Sequence, residues 1–295
     1  MTEPALQEPL LESAPLAHRI AQTLCVPSLE AGESCAWYHG VWQYLRAMGL
    51  AKTSGGQAEF LVDALRSLIR SAGATRVLVS GSADYSMPAH VLAAFAREGA
   101  AIDLTVVDRC ETPLYLTRWY GERVGIAIAT VRSDILTYRS ATPFDVVLTN
   151  SFLGNFDVAS RPALVRTWRE LLRPGGSVLF TNRLRPHAEA PVMFSTKQTY
   201  DFCEVARREA KRWQAVFGLD PELVATWART YAERFVSFPL RSADEIVPLL
   251  RDEGFAVDDV TIVTASPRPD GEALSGPSLA EKAEYVQVRA TRASR

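Results

Sequence analysis

Two segments of the sequence place a glycine and a carboxylate where an extended stretch gives way to a helix. RVLVSGSADYS (76–86) turns after Gly81, and a glycine there lets the backbone approach a ligand while the following helix start offers free amides. Asp108 ends the next apolar stretch, about twenty residues after that loop, where a carboxylate suits paired ribose hydroxyls. Alone, Asp108 also suits a strand-end cap. Together the two features predict a nucleoside-type ligand.

Apolar stretches alternate with amphipathic ones through the middle of the chain. Because each apolar stretch is almost continuous, the pattern predicts a parallel sheet covered by helices on both faces. Two late extended stretches have no helix between them and predict an antiparallel hairpin at the sheet edge. The predicted strands are 76–81, 102–108, 125–131, 144–150, 177–182, 255–265 and 284–292.

The remaining length flanks or interrupts this alternation. Prolines at 4, 9, 15 and 27 predict only short helical pieces over 1–30, and apolar spacing predicts helices over 33–50, 57–72, 197–217 and 221–236. We therefore expect four parts. They are an N-terminal helical cap (1–74), a core (75–183), a helical lid insertion (184–240) and the completion of the core sheet (241–295).

Several segments together resemble the class I S-adenosylmethionine (SAM)-dependent methyltransferases. They are RVLVSGSAD, the acid in VVDRCE, VRSDIL, FDVVLTN, LLRPGGSVLF and the terminal hairpin. The similarity covers about 76–183 well and 240–291 loosely. It implies an α/β fold with a Rossmann-like seven-stranded mixed sheet, and SAM as cosubstrate or sole substrate.

The resemblance also implies roles for individual residues. Gly81, Ser82 and Ala83 would line the methionine and ribose parts of SAM, and Asp108 would hold the ribose hydroxyls. The adenine would lie beside Arg109, Asp134 and Ile135, although Asp134 also suits a helix cap. Asn150 and Ser151 would border the reaction centre.

The chain departs from the family pattern in the glycine loop. Val79 stands where an acid is usual, and Ala83 and Tyr85 stand at the further glycine positions. Without that acid, less free energy is needed to deprotonate the α-ammonium group of SAM to a neutral amine, unless Asp84 takes the place of the acid. Tyr85 could hold an aromatic face near the sulfonium or serve only in packing.

The cap and the insertion are rich in aromatic residues, most of which we expect in the core. Tyr38 and His39 are the polar pair expected to face a substrate, with His39 also suited to a structural role. The other histidines lack partners at ligand spacing, so no metal site is predicted. The four cysteines show no C-x-x-C spacing and are expected to be reduced thiols.

Three functions remain open from these observations. The first is methyl transfer from SAM to a small enclosed acceptor in bacterial secondary metabolism, an amine because no general-base motif is visible. The second is cyclisation of SAM to azetidine-2-carboxylate with release of methylthioadenosine, since WYHGVWQYLRAMGL and TNSFLGNF resemble azetidine-2-carboxylate synthases of this fold. The third is a non-catalytic SAM-fold partner subunit. A nicotinamide-binding alternative lacks the glycines of its loop.

The charge and hydropathy of the sequence limit the classes of binding partner that we expect. With 32 basic and 34 acidic residues the net charge is −2, which disfavours nucleic acid and anionic membranes as partners. No apolar run is long enough to span a membrane, and the acidic, proline-containing N-terminus does not resemble a secretory signal. We therefore expect a cytoplasmic protein acting on a small molecule, with the oligomeric state left open.

Overall fold

The computed structural model describes residues 8–26, 34–51, 55–188, 191–265 and 283–294. Seven strands lie within these ranges: β1 (Arg76–Ser80), β2 (Asp103–Asp108), β3 (Ala129–Arg132), β4 (Phe144–Asn150), β5 (Leu172–Leu184), β6 (Phe255–Ala265) and β7 (Ala283–Arg292). The helices are α1 (Leu10–Leu24), α2 (Ala36–His39), α3 (Trp42–Ala47), α4 (Gly55–Ala72), α5 (Ser86–Glu98), α6 (Glu111–Val124), α7 (Arg161–Leu171), α8 (Thr196–Phe217), α9 (Pro221–Arg234) and α10 (Ile246–Asp252).

The strands form one mixed sheet in the order β3-β2-β1-β4-β5-β7-β6. The first five are parallel to their neighbours, and β7 runs antiparallel between β5 and β6. This confirms the predicted α/β fold and the terminal antiparallel pair. The connection 266–282 lies outside the described residues.

The central strand β1 shows why the sheet is covered on both faces. Val77 and Val79 pack with residues of α4, α5 and α6, whereas Leu78 packs with residues of α7, β5 and β7. Side chains alternate between the faces of a strand, so a strand buried on both sides must be apolar throughout. The same reasoning accounts for the apolar sequence of β4.

The segment before the fifth parallel strand is a bulge within β5. Leu172 pairs with Phe144, but the next pair joins Ser177 to Val146, so the register shifts around Pro174–Gly176. A Cβ on Gly176 would lie 3.0 Å from the backbone oxygens of Arg173 and Asp145. A side chain at position 176 would press against both backbone segments, which explains why this residue is a glycine.

Three further predicted elements differ clearly from the observed ones. The helix expected over 33–50 is interrupted at Gly40 and Val41 between α2 and α3, and β3 begins at Ala129 because Gly125 ends α6 in the left-handed conformation. The short pieces expected over 1–30 are wrong for α1, which is one helix of 15 residues containing Pro15. Burial of Ala14, Ala17 and Ala21 stabilises it through tertiary packing.

The cap helices α1 to α3 pack against α8 and α9 around a separate apolar cluster. Tyr44, Leu45 and Met48 meet Phe202 and Val224 there. This cluster holds the helical cover over the carboxyl ends of the parallel strands. None of the described helices has the length and apolar character needed to cross a membrane.

Candidate active site

A cavity of about 540 Å³ lies between the ends of the parallel strands and the helical cover. Its volume falls in the range of small-molecule sites, about 300–1,000 Å³. The lining residues that bear on its chemistry include Tyr38, His39, Arg46, Gly81, Ser82, Asp108, Asn150, Ser151, Asn182, Arg183 and Arg185. The carboxyl ends of parallel strands are where open α/β sheets bind ligands.

The glycine loop forms one side of the cavity. Gly81 has φ +75° and donates its N–H to the carbonyl of Val107, 2.9 Å away. A Cβ at this position would lie 2.4 Å from the ring of Phe152, so no other residue fits without displacing that ring. Gly81, Ser82 and Ala83 all line the cavity, and their contact with SAM stays a prediction.

Asp108 lies at the end of β2 beside this loop. Its Oδ2 accepts the N–H of Ser82 at 3.0 Å and its Oδ1 accepts the N–H of Cys110 at 2.8 Å. A carboxylate has about four acceptor positions, so these two bonds leave room for a pair of ligand hydroxyls. Burial raises the pKa of Asp108 above its ordinary value, although His39 and the two amides oppose that shift.

Two polar residues at the end of β4 lie across the cavity from the cover. Asn150 Oδ1 accepts a hydrogen bond from the hydroxyl of Thr181, and the N–H of Ser151 donates to the Thr181 carbonyl at 2.7 Å. Both residues line the cavity. Their placement is compatible with the predicted position at a reaction centre.

Ser151 has φ +53°, and no other non-glycine residue of the described ranges has a positive φ. Replacing it with glycine relieves left-handed strain at some cost in unfolded-chain entropy, so Ser151→Gly is expected to raise the free energy of unfolding by about 0.5–1 kcal/mol. Urea unfolding measures the change. Ser160→Gly is the matched control, because Ser160 has φ −86° and gains nothing from glycine. Equal destabilisation by both changes would contradict strain at Ser151.

Tyr38 and His39, from the short helix α2, line the opposite wall. The Tyr38 ring stacks on Trp42, with ring centroids 5.2 Å apart, and on Tyr231, at 6.1 Å. Burial raises the pKa of Tyr38 well above its ordinary value, so its hydroxyl stays protonated near neutral pH. The cover therefore presents a column of neutral aromatic rings.

His39 is not poised as a base. Burial alone lowers its pKa, but hydrogen bonds with the thiols of Cys110 and Cys35, and the nearby Asp108, raise the pKa of His39 to about 10. An imidazole with that pKa is protonated near neutral pH and cannot accept a proton.

Tyr85 packs in the hydrophobic core and does not line the cavity. It is fully buried outside the cavity lining, its hydroxyl lies 3.0 Å from Ser13 Oγ, and its ring stacks on Tyr120 at 4.9 Å. The expectation of an aromatic face near a sulfonium is therefore not met at this residue. The physical reason is that α5 turns the ring toward α1 and α6, whose apolar faces cover it.

The three residues expected beside an adenine lie outside the cavity lining. Asp134 Oδ1 accepts the N–H of Leu136 at 2.9 Å in a turn, and Arg109 Nε lies 3.7 Å from Asp134 Oδ2. Ile135 is buried among core residues that include Val107. Their roles toward adenine stay predictions.

Sequence reasoning missed several residues of the cavity wall. Asn182 Oδ1 and Arg183 Nε, on β5, are buried atoms without a hydrogen-bond partner, so this wall suits a polar ligand. Both follow the strand-end rule that pointed to Asn150, and that signal would have found them. Arg46 also lines the cavity, and it pairs with Asp84 at 2.6 Å and with Glu8. No local pattern links Arg46 to those two acids.

The charged side chains that line the cavity limit the reactions that can take place in it. Among the described residues that line the cavity, Asp108 is the one carboxylate, whereas four arginines are present: Arg46, Arg183, Arg185 and Arg234. Burial lowers the pKa of Arg183, and burial together with Arg183 lowers the pKa of Arg185 to about 10. The site therefore suits positioning of a ligand with anionic groups better than removal of a proton from a weak acid.

Comparisons with known proteins agree with this geometry. No family model matches the chain, and no curated protein matches it. Among solved structures, the Burkholderia thailandensis 1,6-didemethyltoxoflavin-N1-methyltransferase, with bound 1,6-didemethyltoxoflavin and S-adenosylhomocysteine, is 16% identical with a TM-score of 0.52. That alignment covers 99% of this chain and 94% of the other. A Bacillus halodurans C-125 structure assigned as a methyltransferase is 13% identical with a TM-score of 0.50, over 79% of this chain and 99% of that one. The chain therefore has the fold of the class I SAM-dependent methyltransferases.

Proposed function

We propose that this chain is a SAM-dependent transferase that moves the methyl group of SAM to a small enclosed acceptor, an amine. The observation that carries the proposal is that the Gly81 loop and Asp108 face an aromatic cover across the same cavity. The similar Burkholderia enzyme is an N-methyltransferase of a small molecule. That likeness supports the same reaction class here.

The residues present fit SAM. The two acceptor positions left on Asp108 would take the ribose hydroxyls, and the backbone of Gly81 and Ser82 would lie along the ribose and methionine part. The bound sulfonium supplies an electrophilic methyl group. Tyr38 and the rings of Trp42 and Tyr231 that stack on it would exclude water and face the positive charge.

An amine acceptor is proposed because none of the described residues of the wall is placed to act as a base. Tyr38 stays protonated, His39 has its pKa raised to about 10, and Asp108 is engaged by two amides. A neutral amine attacks without prior loss of a proton, so alignment with the methyl group is sufficient. Arg183 and Arg185 would hold an acidic group of the same acceptor.

Cyclisation of SAM is the second candidate, and one observation favours it. Val79, at the family's acid position, is buried in the core, and Asp84 is fully buried in its pair with Arg46. No described carboxylate of the lining other than Asp108 could hold the α-ammonium of SAM, so the wall would favour the neutral amine. Ring closure would join that nitrogen to the γ-carbon. The C–S bond would break with its electron pair left on sulfur, and the amine proton would pass to water.

Incubation of the purified chain with SAM, with and without a panel of small acidic amines, tests the proposal. Methyl transfer predicts S-adenosylhomocysteine and a methylated amine by mass spectrometry, and unchanged SAM when no amine is added. Methylthioadenosine with an equal amount of azetidine-2-carboxylate, formed from SAM alone, would replace methyl transfer by cyclisation. Absence of SAM binding at millimolar concentration in calorimetry would leave the non-catalytic partner subunit.

The setting proposed for this reaction is the reducing cytoplasm, in bacterial secondary metabolism, with a small molecule as the partner. The four cysteines are free thiols in the structure, and the net charge of −2 offers no general attraction to nucleic acid.

A further inference from the structure

Three cysteines that are distant in sequence meet beside the cavity. Cys25 ends α1, Cys35 precedes α2 and Cys110 lies between β2 and α6. Cys110 Sγ lies 3.4 Å from Cys25 Sγ and 3.5 Å from Cys35 Sγ, and all three sulfurs lie within 4.8 Å of one another. Cys25 and Cys110 are buried and Cys35 is half-buried.

These separations match a shared metal ion better than a disulfide bond. Thiolates bound to tetrahedral zinc at about 2.3 Å are separated by about 3.8 Å, whereas two sulfurs in a disulfide lie about 2.05 Å apart. The three sulfurs therefore already approximate one face of a ZnS₃ tetrahedron. Thr112 Oγ1, 3.0 Å from Cys25 Sγ, is placed to orient that ligand from outside the cluster.

His39 is a candidate for the fourth ligand. It follows Cys35 by one helical turn on α2, and its backbone N–H donates to the Cys35 carbonyl at 3.1 Å. Its ring nitrogens lie outside the set of sulfur atoms that are all within 4.8 Å of one another, so binding a shared ion requires a shift of the ring. The residue is nine-tenths buried, and its Nδ1 has no hydrogen-bond partner. A buried imidazole nitrogen without a partner is an unsatisfied polar atom, and a bound metal ion would satisfy it.

We propose that Cys25, Cys35 and Cys110 bind one structural zinc ion, with His39 as the fourth ligand after a shift of its ring toward the three sulfurs. Thiolates with an imidazole form a donor set typical of zinc, and four protein ligands leave no open position for catalysis. Binding replaces the thiol and imidazolium protons, which pass to solvent, and involves no oxidation. The ion would join α1 and α2 of the cap to the end of β2, two residues from Asp108. His39 would then be a ligand and not an acid–base group, and the site does not depend on which reaction the cavity performs.

Zinc titration of the reduced, metal-stripped full-length chain under anaerobic conditions tests the site. We expect one zinc per chain, and Co²⁺ in place of zinc should give thiolate-to-metal charge-transfer absorption with the intense visible bands of tetrahedral cobalt. Cys35→Ser should remove one thiolate and weaken zinc binding at least tenfold. Cys203→Ser is the matched control, because Cys203 is a buried free cysteine of α8 in the separate cap cluster. It should bind zinc as the unchanged chain does.

A second variant tests the site even if Cys35→Ser does not fold. His39→Gln retains the three thiols, so its cobalt derivative should keep the charge-transfer band while its visible bands change with the loss of the imidazole. Zinc should raise the melting temperature of the unchanged chain and of Cys203→Ser. Binding of less than half an equivalent of zinc, equal affinity in Cys35→Ser and Cys203→Ser, or an octahedral cobalt spectrum would each overturn the site.

Discussion

Replacing Arg46 with methionine is expected to lower the free energy of unfolding by about 3–5 kcal/mol, because it leaves buried carboxylates without their counter-ion. The Arg46 side chain is 2% exposed and that of Asp84 is fully buried, with their N and O atoms 2.6 Å apart. Glu8 pairs with the same guanidinium. The arginine therefore compensates two acids at once, and its loss affects both.

The stability lost in Arg46→Met is expected to depend on pH. Burial alone raises the pKa of Asp84, but the charge of Arg46 and the Ser86 amide lower it below its ordinary value. The stability that this provides is present above the unfolded pKa and lost as pH falls through the folded pKa. In Arg46→Met burial dominates and raises the pKa of Asp84, so the penalty is largest near neutral pH and shrinks as Asp84 is protonated.

Urea unfolding of both forms at neutral and mildly acidic pH measures the difference. Arg123→Met is the control, since Arg123 pairs with Glu12 at 2.6 Å on the surface between α6 and α1. An exposed pair contributes about 1 kcal/mol or less. Similar losses in the two variants, or a loss in Arg46→Met that does not change with pH, would contradict the role of Arg46.

Asp108→Ala is expected to weaken SAM binding at least about tenfold, or about 1.4 kcal/mol, in isothermal titration calorimetry. The change removes the carboxylate proposed to accept the ribose hydroxyls. It also removes the acceptor of the Ser82 N–H at 3.0 Å, which orders the glycine loop. Asp108→Asn keeps the shape of the side chain and one acceptor oxygen, and should retain part of the affinity.

Asp103→Ala is the matched control for this experiment, because Asp103 begins the same strand and lies exposed at the end of the sheet opposite the cavity. Its affinity for SAM should equal that of the unchanged chain. Unaltered affinity in a folded Asp108→Ala variant would remove Asp108 from the site and, with it, the main support for SAM in this cavity.

Much of the fold could be predicted because burial on both faces of a parallel strand demands an unbroken apolar run. Val77, Leu78 and Val79 satisfy that demand within one short segment, and Gly81 and Asp108 follow such runs directly. Strand ends then meet at one edge, so Gly81, Asp108 and Asn150 could be placed together without coordinates. The ends of the helices could not be predicted as well, because tertiary packing keeps α1 helical through Pro15.

Local periodicity and topology were enough to predict the mixed sheet, its helical cover and the strand-end residues of the cavity. Which side chains face one another across different elements depends on how the chain packs in three dimensions. That packing turned Tyr85 into the core, paired Arg46 with Asp84, and brought Cys25 and Cys110 to 3.4 Å although 85 residues separate them. Such contacts depend on the directions in which helices pack against the sheet, and spacing along a chain carries no record of those directions.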